Sequence, residues 1–208
     1  VDVRRSAIQQ EHLSDFYLAC NLVQAAWGND QPLLWNLSLL NFTLTQGQQV
    51  VTLPSNVIVV GDVYIQTQTG SAIPNNRLIY PIGRTEFASI PTPTMQAFPT
   101  SYWWDRVLPP TLNLWPVPDG TQVYTLFTYV FTQNQDAALS NGTQLAMPQR
   151  WLLALVDAAA KELSLTYAPD RFQVLSLKAA ESYQLARTQE REIVPIYVTP
   201  GLASYFEP

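Results

Sequence analysis

The chain has 208 residues, 47% of them apolar and only 13% charged, about half the usual charged share. Gln, Thr, Asn and Ser replace the missing charge, which excludes a disordered composition and suits a subunit whose surface is covered by partners. A net charge of −5 with no basic run longer than Arg4-Arg5 excludes a phosphate-gripping surface, the single Cys20 excludes an internal disulfide, and no apolar run approaches the ~20 residues of a membrane span.

Residues 1–10 read as an arm or a helix extension, without a signal-peptide pattern. From Glu11, Leu13, Phe16, Tyr17, Cys20, Val23 and Trp27 recur at steps of three and four, which predicts a helix stopped by Gly28-Asn29. His12 and Cys20 lie on or near its apolar stripe, with no metal-ligand partner at a usable spacing.

Strands follow. Leu33-Leu34-Trp35 and residues 38–44 read as extended, residues 50–53 as a short strand halted by Pro54, and residues 57–65 as a third with a bulge at Gly61-Asp62. Residues 67–76 form a polar loop containing Gly70 and Pro74, expected to project from the sheet towards a neighbour. Leu78-Ile79-Tyr80 is a fourth strand, and residues 84–87 allow one helical turn.

The stretch from Pro99 to Val130 organises the middle of the chain. Tyr102-Trp103-Trp104 supplies three large aromatics, expected to pack together as the anchor of a small sheet. Leu112-Asn113-Leu114-Trp115 and residues 123–130 alternate at period two on either side of Pro116, Pro118 and Asp119-Gly120, which predicts a hairpin. Residues 134–146 are a polar connector.

Pro148 then opens a helix with Trp151, Leu152, Leu155, Val156, Ala159 and Leu163 on its apolar face. Asp170, with Gln173 three residues on, predicts a capping box for a last helix with Phe172, Leu175, Ala179, Tyr183 and Ala186 inward. Residues 195–208 hold three prolines and Gly201, so they cannot continue a helix, yet they are rich in apolar side chains. They are expected to dock on a neighbour through Tyr197, Tyr205 and Phe206.

The whole reads as α+β: N- and C-terminal helices forming a bundle beside a small antiparallel sheet or sandwich. The divisions are residues 1–30, 31–146, 147–194 and 195–208. No phosphate loop, dinucleotide fingerprint, zinc-protease or nucleophile-elbow pattern occurs. Glu86 and Asp105 are the one carboxylate pair with a conceivable hydrolytic use, each better read as a solvated loop acid. No catalytic residue, cofactor or metal is expected.

The order of several short motifs resembles the head-to-tail adaptor proteins of tailed bacteriophages, the connector or head-completion family. Trp27 leads to Leu33-Leu34-Trp35; Phe42-Thr43-Leu44-Thr45-Gln46-Gly47-Gln48 precedes Val51-Thr52-Leu53-Pro54. Pro99-Thr100-Ser101-Tyr102-Trp103, then residues 112–119, then Pro148-Gln149-Arg150-Trp151 complete the match. Val50 or Val51 stands where that family usually has an aromatic. The resemblance implies a structural virion protein at the head-tail junction, assembled in the host cytoplasm. It further implies a ring of copies, typically dodecameric, under the portal protein and above a tail or nozzle protein. Genomic DNA passes through such a ring without sequence-specific binding, and no membrane is involved. On that picture acidic side chains outnumber basic ones along the axis, with Arg4, Arg5, Arg84 and Arg106 off the lumen. The competing reading is a carbohydrate-binding or host-adhesion β module, which requires surface aromatics; the six tryptophans are its support.

Overall fold

A computed structural model describes residues 10–30, 33–68, 73–133 and 147–190. Helix α1 (Gln10–Asp30) leads through a 3-10 turn (Leu34–Asn36) into β1 (Leu37–Leu44), β2 (Val50–Thr52), β3 (Val57–Gln68) and β4 (Asn75–Pro81). After the short α2 (Arg84–Ala88) come β5 (Ser101–Asp105), β6 (Thr111–Trp115) and β7 (Val123–Thr132). Helices α3 (Leu152–Tyr167) and α4 (Phe172–Gln189) close the described chain. The protein is α+β, with terminal helices flanking a seven-stranded sheet of order β1-β7-β3-β4-β5-β6-β2.

The sheet departs from the antiparallel expectation at one place: β4 leaves β3 to pair in parallel with β5 at Tyr80 and Pro81. The predicted bulge is present, as a register shift of β3 against β7 between Val60 and Val63. Gly61 sits there with its α-carbon against the neighbouring strand, so that an added Cβ would lie 3.3 Å from the Tyr129 carbonyl oxygen. The expected polar loop is shorter than read, because Thr67 pairs with Asn75 and Gln66 with Asn76.

The predicted central hairpin does not form. Both runs are strands, but β6 pairs with β5 and β2, whereas β7 pairs with β1 and β3. Between them Val117 is bound into the preceding loop, its N–H donating to the Met95 carbonyl and its own carbonyl accepting from Ala97. That detour carries the chain from one half of the sheet to the other. Asp119 Oδ1 accepts from the Thr121 N–H at 3.0 Å, and Gly120 takes φ +75° to complete the turn. Nor do the three aromatics pack together. Strand alternation sends Tyr102 into the core and Trp104 partly beside it, while Trp103 faces the other way onto Phe87 at 5.4 Å. Leu34 and Trp35 lie in the 3-10 turn rather than a strand.

Two cores result. In the sheet, Leu53, Val63, Ile65, Leu112, Leu114, Tyr124, Leu126 and Val130 are fully buried. In the bundle, Trp27 and Trp151 stand among Ala19, Cys20, Val23, Ala154, Ala158, Ala159, Ala179 and Ala186. The face predicted for α4 is the one that packs. Of the face predicted from Pro148 onward, Trp151, Leu155, Ala159 and Leu163 pack inward, whereas Leu152 and Val156 are exposed and Ala154 and Ala158 take inner positions. The expected capping box is also absent. A 3-10 turn (Pro169–Arg171) starts the last helix, whose N-cap Arg171 makes no side-chain capping bond.

Candidate assembly surface

Alanines on the inner faces let α1, α3 and α4 approach closely, and the larger side chains are displaced outward. Leu18 and Leu22 on α1, Leu152, Leu153 and Val156 on α3, and Val174, Leu177 and Leu185 on α4 are all exposed, Leu177 at 71% and Val174 at 70%. Single exposed leucines are ordinary, but these recur at helical spacing on all three helices, so each helix has a second apolar stripe. Covering one such leucine is worth about 1.5–3 kcal/mol.

At the end of the bundle where α1 begins, Leu13, Phe16, Leu163 and Leu175 line an apolar groove of about 490 Å³. His12 stacks edge-on against Tyr167 in this groove, with ring centres 5.4 Å apart. The Tyr167 hydroxyl donates to the Asp15 carboxylate, and that hydrogen bond, followed by burial and the charges of Asp15 and Glu11, raises the phenol above its ordinary range. At the other end, Glu190 accepts from Arg150 Nε at 2.7 Å and from Trp151 Nε1 at 3.1 Å. Mid-bundle, the buried Asp157 pairs with Lys178 at 2.9 Å. These two ion pairs fasten α3 to α4 and leave the apolar stripes free.

The sheet has an apolar outer stripe of its own. Register places Leu37 opposite Phe131, Leu39 opposite Tyr129, and Tyr64 opposite Phe127 on one face. Tyr64 and Phe127 stack with their planes 5° apart at 5.1 Å. The tryptophans are not part of this face. Trp27, Trp35 and Trp151 belong to the bundle core, Trp103 lies on Phe87, Trp104 lies under the Arg106 guanidinium at 4.5 Å, and Trp115 Nε1 donates to the Thr92 carbonyl.

Of the residues predicted to meet a partner, Pro74 is exposed just before β4. Gly70, Tyr197, Tyr205 and Phe206 lie outside the described residues, as do Arg4, Arg5, the connector 134–146 and the terminal arm. Sequence reading missed the outward leucines; the excess of apolar positions over one face of α3 was the available signal. Glu86 lies exposed on α2 and Asp105 ends β5, and neither makes an ion pair among the described residues. No group of three or more His, Cys, Asp or Glu able to hold a metal occurs among the described residues. No described helix is long and apolar enough to cross a membrane. Burial pushes the Cys20 thiol up to about 11, so it stays a thiol packed in the bundle.

The arrangement is thus a small bundle and a sheet, both with apolar strips facing outward. Compared with known proteins, residues 2–196 match the family described as SU10 adaptor protein. No curated protein matches the chain.

Proposed function

We propose what this protein does from one premise: it belongs to the SU10 adaptor protein family, a family of bacteriophage structural proteins. Copies of the chain form a ring that connects the portal protein to the tail or nozzle protein and continues the channel through which DNA leaves the head. The observation that carries this reading is the set of apolar stripes on the outer sides of α1, α3 and α4, which a lone bundle leaves wet and a neighbouring copy covers. The chain's 16 acidic against 11 basic residues suit a conduit that DNA traverses without adhering. Arg84 is exposed on α2 and Arg106 is held over Trp104; in the ring both face away from the axis. The terminal arm, with Tyr197, Tyr205 and Phe206, and the β3–β4 tip, with Gly70 and Pro74, reach the neighbouring copy or the portal. A dodecamer is the expected stoichiometry. The protein sits at the head-tail junction and acts without catalysis.

The test is assembly of the full chain on portal rings of the same phage, followed by electron microscopy and native mass spectrometry. The expected product is a closed ring stacked on the portal. Leu18→Glu with Leu177→Glu changes monomer stability by less than about 0.5 kcal/mol each and abolishes the ring. A double variant that assembles normally, or a wild-type chain that stays monomeric beside portal rings, overturns the proposal.

A further inference from the structure

Most described cations have partners. Arg150, Lys161, Lys178 and Arg187 pair with carboxylates, and Arg77 and Arg106 lie over aromatic rings. Among the described residues this leaves Arg84 on α2 and Arg171 on the bundle. Arg171 is exposed and stands at the N-cap of α4, where it makes no side-chain capping bond. A helix N-terminus disfavours a cation, so a single copy gains nothing from a guanidinium there. Its surroundings are apolar, since it borders the groove lined by Leu13, Phe16, Leu163 and Leu175.

The opposite need stands further along the bundle. Between α3 and α4, Leu153, Asp157, Lys178, Glu181 and Leu185 line a second hollow of about 140 Å³. The Asp157 side chain is only 6% exposed, and Lys178 reaches its Oδ1. Its Oδ2 is buried with no hydrogen-bond partner among the described residues. Glu181 is exposed at the same hollow and pairs with no described cation. Two carboxylates thus share one ammonium, with Leu153 of α3 and Leu185 of α4 exposed beside them.

We propose that these two features meet between copies: Arg171 of one copy seats in the α3–α4 hollow of the next, against Glu181 and Asp157. The proposal rests on the ring reading and names a contact that builds the ring. A guanidinium presents five donors in a planar fork, enough to engage Glu181 with one edge and to offer Asp157 Oδ2 the donor it lacks. Lys178, its side chain 60% exposed, has room to turn aside.

The apolar rims match as the charges do. Leu153 and Leu185 of one copy cover the groove beside the arriving Arg171, and together they keep water from the ion pair. Positions 171 and 181 lie about 15 Å apart along α4. Each copy therefore gives its arginine to one neighbour and receives an arginine from the other. A head-to-tail contact of this kind generates a closed ring.

Full-length chains assembled on portal rings and weighed by native mass spectrometry test the contact. Arg171→Glu and Glu181→Arg each set like charges against one another between copies, and each is expected to lower ring yield more than about 10-fold. In an equal mixture of the two variants every contact can regain one acid and one base, so rings return with the variants in equal numbers. Arg84→Glu changes the net charge as much as Arg171→Glu does and is expected to assemble like the unaltered chain. All three are surface changes, so the thermal midpoint of each monomer should stay where it was. Normal assembly of either single variant at positions 171 and 181 overturns the proposal. So does a mixture that stays unassembled, or an Arg84→Glu variant that fails equally. A mixture that yields only dimers assigns the contact to a two-fold pair and overturns it too. An unaltered chain that stays monomeric beside portal rings counts against the ring reading itself, whereas rings indifferent to both charges count against this contact alone.

Discussion

The bundle and the sheet solve the burial problem in opposite ways. The sheet spends its large aliphatic residues inward: Val63, Ile65, Leu112, Leu114 and Leu126 are almost wholly buried, and its backbone groups are taken up in ladders. The bundle puts alanines inside and leucines outside, and relies on two tryptophans and two buried carboxylates for its cohesion. The sheet keeps an outer apolar stripe at Leu37, Leu39 and Tyr129, but its core is filled by large aliphatic side chains within one copy. The bundle is shaped for neighbours, since an alanine-lined interior gives little apolar burial per helix and an outward leucine gains only when another surface covers it. Stability and assembly are thus carried by different side chains of the same helices.

The largest effect expected of a single substitution is at Trp151. Its ring is wholly buried and meets Trp27 at 5.1 Å, Trp35 at 4.9 Å and Tyr183 at 5.7 Å. Trp151→Ala is expected to cost about 3–5 kcal/mol in denaturant unfolding. Leu126→Ala in the sheet, with a core of many comparable residues around it, is expected to cost less. The reverse order would break the contrast between a bundle centred on a tryptophan cluster and a sheet with distributed packing.

Next in size is Glu190. One of its oxygens accepts from Arg150 and Trp151, and the other is buried without a partner among the described residues. Glu190→Ala leaves the Trp151 N–H and the Arg150 guanidinium without their acceptor and should cost roughly 1.5–3 kcal/mol. Glu190→Gln keeps an acceptor for the indole and should cost less. Equal losses for the two would show that a neutral acceptor contributes nothing there and that the carboxylate charge carries the whole effect.

A smaller effect is expected in the sheet. Gly120 has φ +75°, and an added Cβ would lie 3.0 Å from Gln46 Cβ and 3.1 Å from its Cγ. Gly120→Ala should cost roughly 1–2 kcal/mol, read from the thermal midpoint. Gly83, where a Cβ would meet nothing within 4 Å, is the control and should tolerate alanine.

These contrasts also mark what the sequence could and could not convey. Strand alternation identified residues 38–44, 57–65, 112–115 and 123–130, because period two is a local property. Which strands pair is not local: the Pro116-Val117-Pro118 passage reads as a hairpin turn, and only the bonds of Val117 to Met95 and Ala97 reveal a crossing between halves of the sheet. The bulge at Gly61 was legible because glycine and aspartate interrupt an otherwise β-branched run. On α3 two apolar faces compete, and periodicity cannot choose between them. The smaller face went inside because it lets the helices approach, and that choice created the assembly surface. The capping box failed for a different reason: Pro169 sets a 3-10 turn that puts Asp170 inside the first turn rather than at its cap. The partner-binding arm was argued from composition alone and lies outside the described residues, so Tyr197, Tyr205 and Phe206 stand on that argument.

The smallest effects separate the two regions by pH. Each holds a tyrosine–aspartate pair. In the bundle the Tyr183 hydroxyl donates to Asp30 Oδ2 at 2.5 Å, with Arg187 3.4 Å from the same oxygen. Burial first, then this hydrogen bond and the Asp30 charge, push the phenol up to about 12, against a weaker downward pull from Arg187. In the sheet the Tyr124 hydroxyl donates to Asp119 Oδ1 at 2.7 Å. There the carboxyl is the group that moves: the Thr121 N–H first, then the Tyr124 and Thr121 hydroxyls, hold Asp119 below its usual range. The signs are opposite. A phenol raised in the folded state contributes stability that is full below its unfolded value near 10 and is lost as pH rises through about 12. A lowered carboxyl contributes stability present above its unfolded value near 4 and lost as pH falls through the folded one. Because the Tyr183 phenol is largely screened by solvent, its share stays under about 1 kcal/mol. Unfolding free energies measured across pH should therefore have a shallower alkaline slope in Tyr183→Phe and a shallower acid slope in Tyr124→Phe, where the Thr121 N–H still holds Asp119 down. Unchanged slopes in both variants would mean that neither pair distinguishes the bundle from the sheet.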